Sequence, residues 1–80
     1  MDYFVIGNFI AAERKKRQLT QQQLADRLNV SNKTVSKWEC GRGLPDISVI
    51  QPLCKELELD VSELLAGKRL DSVAIKKQAE

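Results

Sequence analysis

The chain has 80 residues, a formal net charge of +2 at pH 7 and a hydrophobic content of 42%. This length fits one small domain, and the apolar content is too high for an intrinsically disordered chain. No segment approaches the roughly 20 apolar residues of a membrane span. Two cysteines without any histidine form no zinc-binding pattern. We therefore expect a cytoplasmic protein with free thiols that needs no metal or other cofactor.

The first predicted helix runs from about Val5 to Arg17. Apolar residues at helical spacing define its inner face, and one charged residue of a later turn joins them. These residues are Ile6, Phe9, Ile10 and either Glu13 or Arg14. Gln18 then stands where a left-handed residue is expected to end the helix, at some cost in strain.

The second predicted helix begins after Thr20, because Thr20 and Gln23 have the spacing of a capping box. Its inner face consists of Leu24, Ala25 and Leu28. The helix is expected to end near Leu28, since Asn29 tolerates the left-handed region better than most residues.

The third predicted helix has Ser31 as its N-cap and ends between Trp38 and Cys40. Val35 and Trp38 are spaced to lie on the buried side, so Trp38 is expected in the core. The opposite side is polar and carries no acidic residue before Glu39. Its residues are Asn32, Lys33, Thr34, Ser36 and Lys37.

A loop containing two glycines and Pro45 separates this helix from a fourth helix, which Asp46 is expected to cap. The predicted core stripe of the fourth helix consists of Ile47, Ile50, Leu53, Cys54 and Leu57. Pro52 falls inside this stripe and removes a backbone donor. We therefore expect a delayed start of the helix or a bend between Val49 and Pro52.

Asp60 and Glu63 predict the start of a short fifth helix, which Gly67 ends. Its inward residues are predicted to be Val61, Leu64 and Leu65. Residues 1–67 form the predicted domain, and residues 68–80 form a C-terminal tail. The tail is a short helix or a linker, since Leu70, Val73, Ala74 and Lys77 have helical spacing.

No arrangement of residues predicts catalysis. Without histidine the commonest general base is missing, and the serines and cysteines have no evident activating partner. The segment Gly41–Arg42–Gly43 indicates a turn and does not fit a phosphate-binding loop. We therefore expect a protein that is not an enzyme.

The segment from Thr20 to Pro45 resembles the helix-turn-helix of the phage repressor and Cro family, also called the xenobiotic-response-element family. The family pattern is T-Q-x-x-L-A-x-x-x-x-V-S-x-x-x-[VI]-S-x-W-E-x-G-x-x-x-P. It is matched by Thr20, Gln21, Leu24, Ala25, Val30, Ser31, Val35, Ser36, Trp38, Glu39, Gly41 and Pro45. With its flanking helices the resemblance covers about Ile6 to Gly67. It implies an all-α, compact five-helix domain like that of lambda repressor, in which helices 2 and 3 form the motif.

The resemblance implies roles for individual residues. Base-reading residues would be Asn32, Lys33, Ser36 and Lys37, because the N-terminal part of the third helix enters the major groove in this motif. Phosphate contacts would come from Gln21, Ser31, Thr34 and Arg42, and Ser31 would cap its helix as well. Arg14 and Glu39 would form a partly buried ion pair between helices 1 and 3, which would also neutralise Glu39 beside the DNA.

The sequence therefore predicts double-stranded DNA binding by a bacterial or phage-type transcriptional regulator, with a repressor favoured and a homodimer on DNA expected. Two alternatives remain open at this stage. One is the antitoxin of a toxin–antitoxin pair, which would also bind a partner protein. The other is a protein-interaction module that keeps the fold, for which acidic or bulky apolar groups would be expected at positions 32, 33, 36 and 37.

Overall fold

The computed structural model describes residues 1–70, and this part of the chain folds into five α-helices without a strand. The helices are α1 (Tyr3–Lys16), α2 (Gln21–Leu28), α3 (Asn32–Glu39), α4 (Ile47–Leu57) and α5 (Val61–Ala66). The predicted all-α architecture of five helices is confirmed. The additional helical turn predicted from Val73, Ala74 and Lys77 lies outside the described residues.

Capping residues define where the first helices begin and end. α1 starts two residues earlier than predicted, because the carboxylate of Asp2 accepts hydrogen bonds from the backbone N–H groups of Phe4 and Val5 at 2.9 and 3.2 Å. α2 has the predicted capping box: the Thr20 hydroxyl accepts from the Gln23 backbone at 3.0 Å, and the Gln23 side chain accepts from the Thr20 N–H at 2.8 Å. The turns that follow α1 and α2 each contain a left-handed residue, as predicted. These residues are Gln18 and Asn29, with φ of 59° and 58°.

Of the two alternatives expected for α4, the delayed start is wrong, since the helix begins at Ile47 and includes Pro52. The bend between Val49 and Pro52 stays a prediction. Asp46 fixes the first turn: its carboxylate accepts from the backbone N–H and the hydroxyl of Ser48 at 3.2 and 2.7 Å. Its carbonyl oxygen also accepts from Ile50 N–H at 3.1 Å. The first turn is therefore capped and hydrogen-bonded although Pro52 removes one backbone donor further along the helix.

The core lies between the five helices and includes Leu59 from the segment between α4 and α5. Its buried hydrophobic residues are Ile6, Phe9, Ile10, Leu24, Ala25, Leu28, Val35, Trp38, Leu53, Cys54, Leu57, Leu59 and Leu64. Of the two charged candidates on the inner side of α1, both Glu13 and Arg14 are buried.

Three residues that were predicted to face inward are exposed, namely Ile47, Val61 and Leu65, with exposed fractions of 83%, 40% and 39%. Ile47 is the first residue of α4, beyond the part of the helix that packs on the core. α5 has only six residues and turns Glu63 and Leu64 inward. Its two outer apolar residues therefore face away from the core.

Gly7 determines how closely α1 approaches the end of α3. It is buried in α1, and a Cβ atom there would collide with the carbonyl oxygen of Trp38. The absence of a side chain at Gly7 therefore lets the two backbones touch, which fixes the position of α3 on the rest of the domain.

Candidate nucleic-acid interface

The polar face of α3 is presented to solvent because the opposite face is fully used in the core. Val35 and Trp38 are buried. The four predicted base-reading residues lie on the open side, at relative positions one, two, five and six of the helix, which share one face. Asn32 and Ser36 are half-buried, and Lys33 and Lys37 are exposed.

A shallow hollow of about 290 Å³ lies between α3 and the loop that follows it. Its lining residues are Lys33, Ser36, Lys37, Cys40 and Arg42. The Arg42 backbone N–H donates to the carbonyl oxygen of Lys37 at 3.0 Å, which turns the loop back along the helix. The structure thus brings three predicted base readers and one predicted phosphate ligand around one cationic hollow.

Cys40 also lines this hollow, and the sequence analysis assigned it no place there. Its thiol is free and the residue is exposed. Its spacing of four residues from Ser36 and three from Lys37 is the signal that could have placed it on their face.

Two further predicted phosphate ligands meet at the start of α3. The Ser31 hydroxyl accepts from the backbone N–H of Thr34 at 3.1 Å and lies 2.9 Å from the Thr34 hydroxyl. Ser31 therefore caps the helix, as predicted, while remaining exposed. Thr34 is half-buried.

Arg14 and Glu39 form a two-pronged ion pair between α1 and α3. Arg14 Nε and Nη2 donate to the Glu39 carboxylate at 2.7 and 3.0 Å, and Nη1 donates to the carbonyl oxygen of Leu19 at 2.7 Å. Both charged side chains are almost completely buried. The hydrogen bond with Glu39 raises the pKa of the Arg14 guanidinium, because the carboxylate favours its charged form.

Gln21 joins this ion pair, a contact that the sequence analysis did not anticipate. Its side-chain amide donates to the Glu39 carboxylate at 2.9 Å. The first residue of α2 is thereby tied to the last residue of α3 through a buried charge. The same arrangement neutralises Glu39, the only acidic residue of α3, so the face of that helix is left without an unpaired negative charge.

A second charged cluster connects α1 with the end of the described chain. Glu13 accepts hydrogen bonds from Arg17 and Arg69, each at 3.0 Å, and pairs with Lys16 at 3.3 Å. Burial alone would raise the pKa of the Glu13 carboxyl, but the three basic partners lower it below its ordinary value. Residues 68–70, assigned to the tail by sequence, thus remain in contact with the domain.

Within residues 1–70 no group of three or more histidine, cysteine, aspartate or glutamate residues is arranged to hold a metal ion. None of the five helices is long and apolar enough to cross a membrane.

The chain is similar to three curated regulators. It is 39% identical over 61 residues to the HTH-type transcriptional activator BcrR of Enterococcus faecalis, covering 76% of this chain and 30% of BcrR. It is 34% identical over 55 residues to the cryptic phage CTXphi transcriptional repressor RstR of Vibrio cholerae, covering 69% and 49%. It is 34% identical over 65 residues to the immunity repressor protein of Bacillus phage phi105, covering 81% and 45%. The chain thus spans between 30% and 49% of the length of these relatives.

Solved structures extend the similarity to the fold. The P22 c2 repressor protein, solved in complex with synthetic operator 9T, superimposes with a TM-score of 0.75 at 33% identity, covering 79% of this chain and 96% of the repressor chain. The clp gene regulator ClgR of Corynebacterium glutamicum has a TM-score of 0.72 at 22% identity, covering 96% and 79%, and supports the fold alone. The family model described as helix-turn-helix matches residues 10–64. The chain belongs to this helix-turn-helix family, HTH_3, and the resemblance to phage repressors is confirmed.

Proposed function

We propose that the chain binds double-stranded DNA sequence-specifically and is the DNA-binding part of a bacterial or phage-type transcriptional regulator. The observation that carries this proposal is the open face of α3. Asn32, Ser36 and two lysines share that face, and the one acid of the helix is paired with Arg14. An eight-residue helix with this surface fits the major groove, where base edges offer acceptors to such donors.

Base reading is assigned to Asn32, Lys33, Ser36 and Lys37. An asparagine can pair with the N6 and N7 positions of adenine, and a lysine can donate to O6 and N7 of guanine. Serine contributes a hydroxyl that both donates and accepts.

Phosphate contacts are assigned to Gln21, Ser31, Thr34 and Arg42. Gln21 is the first residue of α2, where backbone N–H groups have no partner within the helix and attract an anion. Its side-chain amide donates to Glu39, so the side chain is already oriented before DNA binds. Arg42 is exposed beside the hollow and adds a full positive charge.

A repressor that binds as a homodimer is the regulator we propose. Two of the similar proteins, RstR and the phi105 protein, are named repressors, whereas BcrR is named an activator. A symmetric dimer would place two copies of α3 about one helical turn of DNA apart. The antitoxin alternative is favoured by no observation in residues 1–70. A protein-interaction module is disfavoured, since no acid or bulky apolar residue replaces the polar residues on the open face of α3.

The test begins with selection of bound sequences from a pool of random duplexes. Asn32→Ala and Lys37→Ala should each weaken binding to the selected duplex by about 1–3 kcal/mol without altering the circular dichroism spectrum. Lys55→Ala, which removes an exposed lysine from α4, serves as the control and should leave affinity within experimental error. Unchanged affinity in both α3 variants would overturn the proposed role of this helix.

Salt titrations separate phosphate contacts from base reading. Arg42→Ala should weaken operator and random duplex alike and reduce the salt slope by about one unit, because it removes one cation from the phosphate backbone. Gln21→Ala removes the neutral side-chain amide. It should therefore also weaken binding to both duplexes alike, while leaving the salt slope nearly unchanged. Loss restricted to the selected duplex would show that Arg42 reads bases.

A further inference from the structure

Lys37 is exposed, and the aliphatic part of its side chain passes close to Gly43 in the loop after α3. A Cβ atom placed on Gly43 would stand 3.1 Å from Cε of Lys37, 3.7 Å from its Cδ and 3.8 Å from its Cγ. Three consecutive carbons of the lysine therefore run past Gly43. The first of these distances is shorter than an ordinary carbon–carbon contact, so a Cβ at position 43 would push the Lys37 stem away by a few tenths of an ångström.

The backbone at Gly43 does not itself demand glycine. Among the described glycines only Gly41 and Gly67 have positive φ, at 74° and 72°, so an alanine could adopt the backbone conformation of Gly43. The turn that reverses the chain is made by Gly41 and by the hydrogen bond from Arg42 N–H to Lys37 O. What Gly43 supplies is therefore space beside Lys37.

We propose that Gly43 is a positioning residue for Lys37: by lacking a side chain, it lets the lysine stem rest on the loop and restricts the directions in which the ammonium group can point. This inference rests on the proposed function and deepens it. Lys37 and Arg42 line the same hollow, so the restriction keeps the Lys37 ammonium on the side of α3 where the loop brings Arg42. A side chain that is ordered before binding loses less conformational entropy when it contacts DNA.

A double-mutant cycle on the selected duplex tests the coupling. Gly43→Ala should weaken binding about two- to tenfold when Lys37 is present, which is the range expected for releasing one ordered side chain. In a Lys37→Ala background the same substitution should have no effect. An equal loss of affinity in both backgrounds, or no loss in either, would overturn the inference about Gly43. Weaker binding by the Lys37→Ala single variant would still support α3 as the reading helix. If Lys37→Ala alone binds like the parent, the assignment of Lys37 to DNA fails as a separate result.

A measurement on the free protein tests the positioning without DNA. In the parent, NMR relaxation of the Lys37 Cε group should show less motion than that of Lys55, an exposed lysine of α4. Gly43→Ala should raise the mobility of Lys37 to that of Lys55 and leave Lys55 unchanged. The melting temperature should stay the same or rise slightly, since alanine restricts the unfolded chain. Equal mobility of Lys37 and Lys55 in the parent would overturn the inference even if DNA binding is strong.

Discussion

α3 buries both of its apolar residues, whereas α4 and α5 leave some of theirs exposed. In α3 both Val35 and Trp38 are buried and every other position is polar or charged. In α4 and α5, by contrast, Ile47, Val61 and Leu65 remain on the surface. Helical spacing predicted burial correctly in α3 because that helix has no more apolar residues than its packed face can hold. It overestimated burial in α4 and α5, where apolar residues outnumber buried positions.

The lengths of α3 and α5 account for part of this contrast. α3 is packed against both α1 and α2, so each apolar side chain it carries has a neighbour to cover it. α5 contacts α1 and α4, but its six residues make fewer than two turns and present Glu63 and Leu64 to them. Since α3 and α5 each contact two helices, the number of neighbours does not explain the contrast. Periodicity identifies a face, whereas the length of the helix limits how much of that face its neighbours can cover.

The largest effect is expected from truncating Trp38, the larger of the two buried residues of α3. Trp38→Ala should destabilise the domain by about 3–5 kcal/mol, enough to unfold much of so small a protein. Ile47→Ala should change stability by less than about 0.5 kcal/mol, because the side chain is already in water. Urea denaturation followed by circular dichroism measures both. Equal losses of stability in the two variants would contradict the contrast between α3 and α4.

Removing the buried acid of α3 should come next. Glu39→Ala leaves the Arg14 guanidinium buried without its partner and should cost about 3 kcal/mol of folding free energy. Glu56 offers the matched control, because it pairs with Arg27 at 3.2 Å on the surface. Glu56→Ala should cost no more than about 1 kcal/mol. A Glu39→Ala variant as stable as Glu56→Ala in the same denaturation series would show that the pair between α1 and α3 contributes little.

Adding one methyl group to a helix crossing should have a somewhat smaller effect. Gly7→Ala places a Cβ against the Trp38 carbonyl oxygen and forces α1 away from α3, at a cost of about 1–3 kcal/mol. Gly43→Ala meets only side-chain atoms of Lys37 and no backbone, so its effect on stability should be nearly neutral. Thermal melts of the two variants compare them directly, and a Gly7→Ala melt that coincides with the parent would mean that the helices can separate freely.

The smallest effect should come from Glu13, and it should depend on pH. Glu13→Gln removes a carboxylate that accepts hydrogen bonds from Arg17 and Arg69 and should cost about 1–2 kcal/mol at pH 7. Because the folded-state pKa of Glu13 lies below 4.5, the unfolded chain takes up the proton first as the pH falls. The contribution is therefore complete above pH 4.5 and disappears as the pH falls through the folded-state pKa.

Denaturation of the parent and of Glu13→Gln between pH 7 and pH 3 measures this dependence. The difference in stability between the two proteins should shrink as the pH falls below 4.5. The carboxyls of Asp46 and Glu63 also have lowered pKa values, so both proteins lose stability in acid, and only their difference reports on Glu13. A difference that stays constant over the whole range would show that the Glu13 carboxylate is not stabilised in the folded state.

By itself the sequence determined the five helices, most of their caps and the polar face of α3. These features depend on hydrogen bonds and side-chain directions within about four residues of chain, and such local relations can be inferred from spacing. In the structure Thr20 caps α2 together with Gln23, and Ser31 caps α3 by accepting from Thr34. In both cases the partner is three residues away in the sequence. Two helix starts were predicted wrongly: α1 begins earlier, at Tyr3, and α4 begins at Ile47 without delay.

Only the tertiary structure decided which distant groups meet. It placed Gln21 on Glu39, 18 residues away, and Arg69 on Glu13, 56 residues away. It also gathered Cys40 into the hollow with Arg42 and laid Lys37 along Gly43. Such contacts depend on the angles and distances at which the helices pack. Those are set by the whole core and by close approaches such as that of Gly7 to Trp38, so no local pattern encodes them.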